Sequence, residues 1–317
     1  MQTYLKTKPG WMQLLLFFGM AMGVFLVFSL IGVSLLSSMT GISVLDIKDL
    51  MKEPIHPRAL TFIRGMLLIQ FLGLFVIPSL LFAYFSDPRP GNYLGFRTPG
   101  HISYWILGIV ALLVSLPFVE LAGVLNQKMI AGTAGQAWMK QMEEEAARQI
   151  QFMVREHTPQ QLLLNLLFIA VFAGVGEELF FRGILQRLFI RITRSPWAGI
   201  LLTALIFSAF HMQFYGFLPR FLLGALLGAI YWYSGSIWPA ILAHFLYDAL
   251  IIVVLYMNPE MVKDPGATLT NVSGLSFAAL GSLLLTIGAV WLMKWHSRNT
   301  YEQVYKDDVP SQQPFSF

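Results

Sequence analysis

Three short blocks hold nearly every acidic or imidazole side chain that sits deep inside an apolar stretch of the chain. They are Gly176-Glu177-Glu178-Leu179-Phe180-Phe181-Arg182, Phe207-Ser208-Ala209-Phe210-His211 and His244-Phe245-Leu246-Tyr247-Asp248. Of the six His, only His211 and His244 fall within apolar runs. The acidic residues within such runs are Glu120, Glu177, Glu178 and Asp248, and Glu120 is close enough to a run's end to reach water. An ionisable group at membrane depth costs roughly 2.5–3.5 kcal/mol on insertion scales, so its position carries information. Scattered structural polar residues would not collect between residues 177 and 248.

Spacing suggests roles. Glu178 and Arg182 stand four apart with Glu on the N-terminal side, the favourable order for a helical ion pair. Read structurally, that pair only neutralises two charges and locks a helix. Glu177 is turned about 100° away on a helix of 3.6 residues per turn and is free to face something else. Gly174, Gly176 and Gly183 allow a neighbouring helix to approach closely. His211 shares a face with Phe207, and His244 is one turn from Asp248. A lone His on an apolar helix is more often a satisfied core residue than a reactive one. A His–Asp pair one turn apart can likewise be no more than a hydrogen bond.

Taken together, Glu177, His211, His244 and Asp248 can line one cavity, with Glu178 and Arg182 orienting it. One use is hydrolysis: a carboxylate or imidazole takes a proton from water as general base, and a second polar pair binds the oxyanion of the tetrahedral intermediate. That mechanism requires no cofactor. The other use is a catalytic zinc held by two His and carboxylates with an open water position, its ligands then drawn from Glu177, His211, His244 and Asp248. The HExxH signature of zinc proteases is absent.

The elements that must position these groups are membrane helices. Apolar residues make up 56% of the chain and charged residues 12%, too few charges for the surface of a soluble domain of 317 residues. The expected fold is all-α, a polytopic bundle of about eight transmembrane helices, at 12–36, 61–85, 103–124, 159–185, 196–215, 217–234, 237–256 and 275–295. The first apolar run is too long for a removed signal peptide and reads as a retained span. There is no Cys, which excludes disulfides and thiolate chemistry. No basic cluster suits nucleic acid, so nucleic acid is not an expected partner and membrane lipid is.

Lys6, Lys8, Arg89, Arg97, Arg187, Arg191, Arg194, Lys294, Arg298 and Lys306 fall on one side if the spans alternate. By the positive-inside rule that side is cytoplasmic, with both termini inside a bacterial plasma membrane and the reaction near that side. Residues 37–60, with Gly41, Pro54 and Pro57, read as an outer loop. Between 134 and 157, Trp138, Met142, Ala146, Ile150 and Met153 form a helical stripe opposite Lys140, Glu144 and Arg148. This helix, near 136–154, lies on the bilayer or packs on the bundle's end. Thr158, Pro159 and Gln161 form a capping-box start for the fourth span. The tail from His296, with Pro310 and Pro314, reads as disordered. The chain divides into an N-terminal three-span region (1–158), a core of four spans (159–256), and a last span with a polar tail (257–317).

The ordered set Glu177-Glu178-xxx-Arg182, Phe207-xxx-His211 and His244-xxx-Asp248 resembles the CAAX-protease and bacteriocin-processing family of intramembrane endopeptidases. That family's pattern is EExxxR, FxxxH and HxxxN or HxxxD, and the likeness covers roughly 159–256. It implies that Glu177 with His211 activates water, that His244 with Asp248 holds the scissile carbonyl, and that Glu178 and Arg182 orient the site. It also implies a peptide substrate tethered to the membrane, prenylated and CAAX-like in the eukaryotic branch, and either a metal-dependent or a glutamate mechanism. Asp248 in place of Asn can donate to an oxyanion only when protonated. Two other functions fit buried Glu, His and Asp: a proton- or ion-coupled transporter, and a non-catalytic immunity or binding member of the same family.

Overall fold

The computed structural model describes residues 3–51, 57–258 and 272–305. Among them the secondary structure is entirely helical. Helix α1 spans Gly10–Thr40 and ends where Gly41 turns into the left-handed region at φ 71°, a conformation glycine adopts without steric cost. Helix α2 runs Pro57–Ser86. Its hydrogen bonding widens to π register over Phe71–Val76, just before Pro78. The proline ring cannot fit against the carbonyl four residues back, and the wide turn absorbs it.

Helices α3 (Ser103–Val114) and α4 (Leu116–Ile130) form a pair bent by 41° at Ser115, with Pro117 in the first turn after the bend. Helix α5 (Gln136–Val154) is amphipathic and too polar to be a span. Helix α6 (Pro159–Thr193) is capped by Thr158, whose hydroxyl accepts from the Gln161 amide, as the capping-box spacing predicts. The Gln161 side chain does not return the bond; it accepts instead from Arg64. Helices α7 (Pro196–Phe210), α8 (Phe217–Ser234), α9 (Ile237–Met257) and α10 (Val272–His296) follow. Ser195 and Ser236 cap α7 and α9, supplying acceptors for amides that have no partner inside the helix.

Each of the eight predicted spans corresponds to one of these elements. Among the described residues six helices are long and apolar enough to cross a membrane, the α3–α4 pair makes a seventh if counted as one, and α7 is apolar but shorter. Several bounds differ from expectation. The fourth span continues to Thr193, where Arg194 turns left-handed at φ 55°. The fifth stops at Phe210, not 215. Met212 is left-handed at φ 52°, and the Asn126 amide holds the carbonyls of Phe214 and Tyr215 at 2.6 and 2.8 Å. Those bonds fix an irregular turn where hydropathy alone continues the helix. Part of the predicted 37–60 loop and the tail beyond residue 305 lie outside the described residues. The tail expected to be disordered from His296 is ordered as far as it is described: Tyr301–Tyr305 is a short helix, and its buried Tyr305 donates to the Arg187 carbonyl at 3.0 Å, which anchors it to the bundle.

Three apolar cores join the bundle among the described residues, the smallest holding α5 to the start of α2 through Phe62, Ile63, Phe152 and Met153. A second gathers α1, α2 and α6 around Phe17, Phe75, Phe82, Phe180 and Phe181. The third gathers α3, α4, α8, α9 and α10 around Tyr104, Leu112, Leu227 and Ile230. Helix α9 touches the second and the third. Helix α5 packs across one end of the bundle through buried Phe152, Met153 and Val154, and Trp138 sits 4.9 Å from the Phe214 ring. Its outer face carries the Lys140–Glu144 and Glu144–Arg148 pairs, each at 3.8 Å.

Candidate active site

Helix α6 delivers the first block to the centre of the bundle. Its hydrogen bonding is in π register over Leu166–Val171 and Ala173–Gln186, a rare geometry that clusters at functional positions. Glu178 and Arg182 are both fully buried. Arg182 Nη1 donates to Glu178 Oε1 at 2.8 Å, Nη2 donates to the Gly224 carbonyl of α8 at 2.9 Å, and the guanidinium lies 4.7 Å above the Phe207 ring. A buried cation is tolerable only with such partners.

The same carboxylate oxygen also receives His244. Its Nδ1 lies 2.8 Å from Glu178 Oε1, so Glu178 joins α6 to α9 as well as neutralising Arg182. His244 Nε2 is then 3.4 Å from Asp248 Oδ2, one turn further along α9. His211 follows the last residue of α7. Its Nδ1 is 2.8 Å from the Phe207 carbonyl, and its Nε2 is 4.0 Å from Glu177 Oε2. The ring of Phe207 stands between the two imidazoles, 5.0 Å from His211 and 6.1 Å from His244.

The structure therefore brings all six predicted residues to one place. Glu178 and Arg182 are sealed, His244 is nearly so, and Glu177, Asp248 and His211 keep 15%, 22% and 27% side-chain exposure, which marks them as the reachable groups. Glu120 is exposed. Glycines set the spacing: a Cβ on Gly174 would meet the Phe245 backbone at 3.1 Å, and one on Gly176 would meet Phe71 at 2.9 Å. Helix α9 can approach α6 so closely only because position 174 has no side chain.

Three residues outside the motifs border the site. Arg220 of α8 donates to the Gln213 side chain at 2.6 Å and to its carbonyl at 3.1 Å. Gln213 in turn donates to Glu143 of α5 at 3.4 Å. Arg220 also feels the charges of Glu143, Glu177 and Asp248. Burial raises the Glu143 carboxyl above its ordinary value, against the opposing pull of Arg220 and a backbone bond from Tyr215. The signal for Arg220 was present in the sequence, because it is a cation inside an apolar run; Gln213 and Glu143 carry no such mark.

A metal does not fit these donors as they stand. Among the described residues no group of three or more His, Asp or Glu side chains could hold a metal ion. His211 Nε2 is 4.0 Å from Glu177 Oε2 and His244 Nε2 is 3.4 Å from Asp248 Oδ2, two separate pairs rather than one cluster of donors.

Buried carboxylates and imidazoles on helices of a membrane bundle define an integral multi-pass membrane protein with a polar centre. Comparison with known proteins narrows this. Residues 159–250 match the family described as "Type II CAAX prenyl endopeptidase Rce1-like". The match covers under a third of the chain, and at family level it supports an intramembrane protease of CAAX type. The matched residues contain all three motifs. Comparisons with curated proteins and with solved structures gave no significant match.

Proposed function

We propose that the protein is an intramembrane endopeptidase in which Glu177 and His211 activate a water molecule against a peptide bond of a membrane-associated substrate. One observation carries this reading. His211 Nδ1 faces the Phe207 carbonyl, which can only accept, so the ring's proton is at Nδ1 and Nε2 is an acceptor. Nε2 then faces another acceptor, the Glu177 carboxylate, across 4.0 Å. Two acceptors too far apart to bond directly are satisfied by one molecule that donates twice, which is water. Its lone pairs are then turned to the cavity.

In the reaction, Glu177 takes a proton as the water oxygen attacks the scissile carbonyl carbon. The carbonyl becomes an oxyanion stabilised by a proton shared between His244 Nε2 and Asp248. Glu178, holding His244 Nδ1, keeps Nε2 aimed at Asp248. Collapse of the intermediate breaks the C–N bond, and Glu177 returns its proton to the leaving amine. A lipidated, CAAX-like peptide is the substrate class that the family suggests. We place the end that carries Arg187, Arg191 and Arg194 in the cytoplasm by its excess of cations. On that orientation His211, at the opposite end of α7, sets the scissile bond deeper than the position near the cytoplasmic side that the sequence suggested.

The test is cleavage of a membrane-tethered, prenylated peptide by the purified full chain, Glu177→Gln and His211→Ala, with and without chelator. Both variants should lose about 10²-fold or more, as removal of a general base does, and chelator should change nothing. Cleavage by both variants at the parent's rate would sink the mechanism. A parent that cleaves no lipidated or unlipidated membrane peptide would favour a binding role instead.

A further inference from the structure

A second polar feature lies at the other end of α6, where α1 begins and α2 ends. A cavity of about 340 Å³ is lined by Asp87, Arg89, Asn92, Tyr93, Arg97 and Arg187. A small recess beside it shares Asp87, Tyr93 and Arg187 and adds Lys6 and Arg191. Five cations therefore converge around one carboxylate. Asp87 accepts at 2.8 Å from the Arg89 backbone amide. Among the described residues neither Arg89 nor Arg97 is in an ion pair, and both are exposed.

The frame around these cations is firm. Gly95 is left-handed at φ 88°, closing the short helix Pro90–Leu94, and its carbonyl accepts from the Ile237 amide of α9 at 3.0 Å. The Ser236 hydroxyl donates to the Arg97 carbonyl. Arg187 lies 4.5 Å over the Tyr93 ring. Leu94 is fully buried beneath the loop.

The height of the cavity is marked independently. Trp11, Trp197, Trp238 and Trp295 lie at this same end, near the ends of α1, α7, α9 and α10, and are 57%, 47%, 42% and 72% exposed. Tryptophan collects at the headgroup level of a bilayer. Immediately below the cavity, Leu80, Leu81 and Tyr84 in the last turns of α2 present an open apolar face. Cations at headgroup height above an apolar face match an amphiphile better than a free anion. Guanidinium forks suit phosphate oxygens, and basic pockets at the ends of membrane helices attract anionic headgroups.

We propose that this cavity binds the phosphate group of an anionic membrane lipid, independently of any reaction at Glu177. The test uses the purified full chain in mild detergent, read by native mass spectrometry. Titrants are phosphatidylglycerol, phosphatidylcholine with the same acyl chains, and inorganic phosphate. Phosphatidylglycerol should bind about tenfold or more tightly than phosphatidylcholine. The double variant Arg89→Gln/Arg97→Gln, at exposed positions that leave the fold intact, should erase that preference and leave phosphatidylcholine unchanged. Arg187→Gln should weaken phosphatidylglycerol too; if it fails to fold, the double variant decides. Equal affinity for the two lipids, an unchanged double variant, or displacement of phosphatidylglycerol by equimolar phosphate would each overturn the lipid assignment.

Discussion

Glu178 Oε1 accepts two hydrogen bonds of 2.8 Å, one from Arg182 on its own helix and one from His244 on α9. One oxygen thus neutralises a cation and orients an imidazole. Its partner oxygen, Glu178 Oε2, is buried without a hydrogen bond, as is Arg182 Nε. Loss of this carboxylate should be felt in folding before it is felt in chemistry. Glu178→Ala is expected to destabilise by about 3–5 kcal/mol, because it strands a buried guanidinium. The double variant Glu178→Met/Arg182→Met should recover much of that stability yet stay inactive, since His244 remains unheld. Thermal unfolding in detergent beside a cleavage assay checks both halves; recovery of activity in the double variant would contradict the orienting role.

Glu177 is expected to behave in the opposite way. It is partly exposed and contacts His211 only at 4.0 Å. Glu177→Gln should therefore change stability by less than about 1 kcal/mol, while activity falls about 10²-fold or more. A large loss of stability would mean that Glu177 is a structural group.

Gly174 tests spacing without touching any charge. A Cβ there would press on the Phe245 backbone, which cannot retreat as a flexible side chain can. Gly174→Val should cost about 1–3 kcal/mol by overpacking. Because Phe245 adjoins His244, turnover should fall more than substrate binding. An unchanged turnover number would show that α9 yields without moving the imidazole.

The Glu143 carboxyl should make the docking of α5 pH-dependent. Its folded-state value is raised by burial, so the folded state holds the proton more tightly than the unfolded state. Stability from this group is fully present below the ordinary carboxylate value. It is lost as pH rises through the raised folded value. Hydrogen exchange over residues 136–154 should therefore quicken with pH in that window beyond its intrinsic rate. Glu143→Gln should abolish the excess, and a persistent excess in that variant would assign the effect to another group.

The sequence was most legible where it was least ambiguous. Apolar run length alone located all eight elements, because a bilayer fixes how long a span must be. The Thr158 cap and the Glu178–Arg182 pair are local and follow from spacing. What spacing could not reveal is long-range. The His244–Glu178 bond joins residues 66 apart, and it changes Glu178 from a counter-ion into a link between helices. The π register of α6 was also hidden, since no proline lies within Ala173–Gln186 and its glycines lower helix propensity without setting a hydrogen-bond register. The end of α7 was misjudged because Asn126, 88 residues before Phe214, is what holds the turn. Arg220 was visible as a cation in an apolar run, but its connection through Gln213 to α5 depends on tertiary placement.

Helix α7 has 15 residues, about 22 Å at 1.5 Å per residue, against a hydrocarbon thickness of roughly 30 Å. Leu201, Leu202, Leu205 and Phe210 leave one of its faces open to lipid. Acyl chains beside that face would meet a mismatch of roughly 8 Å, which a bilayer can relieve by pinching inwards. His211 stands at the short end of this helix, so the dimple brings headgroups and solvent down towards it. The thickness of the host membrane then becomes a variable of the site: longer-chained lipids would leave His211 drier, and shorter-chained ones would wet it.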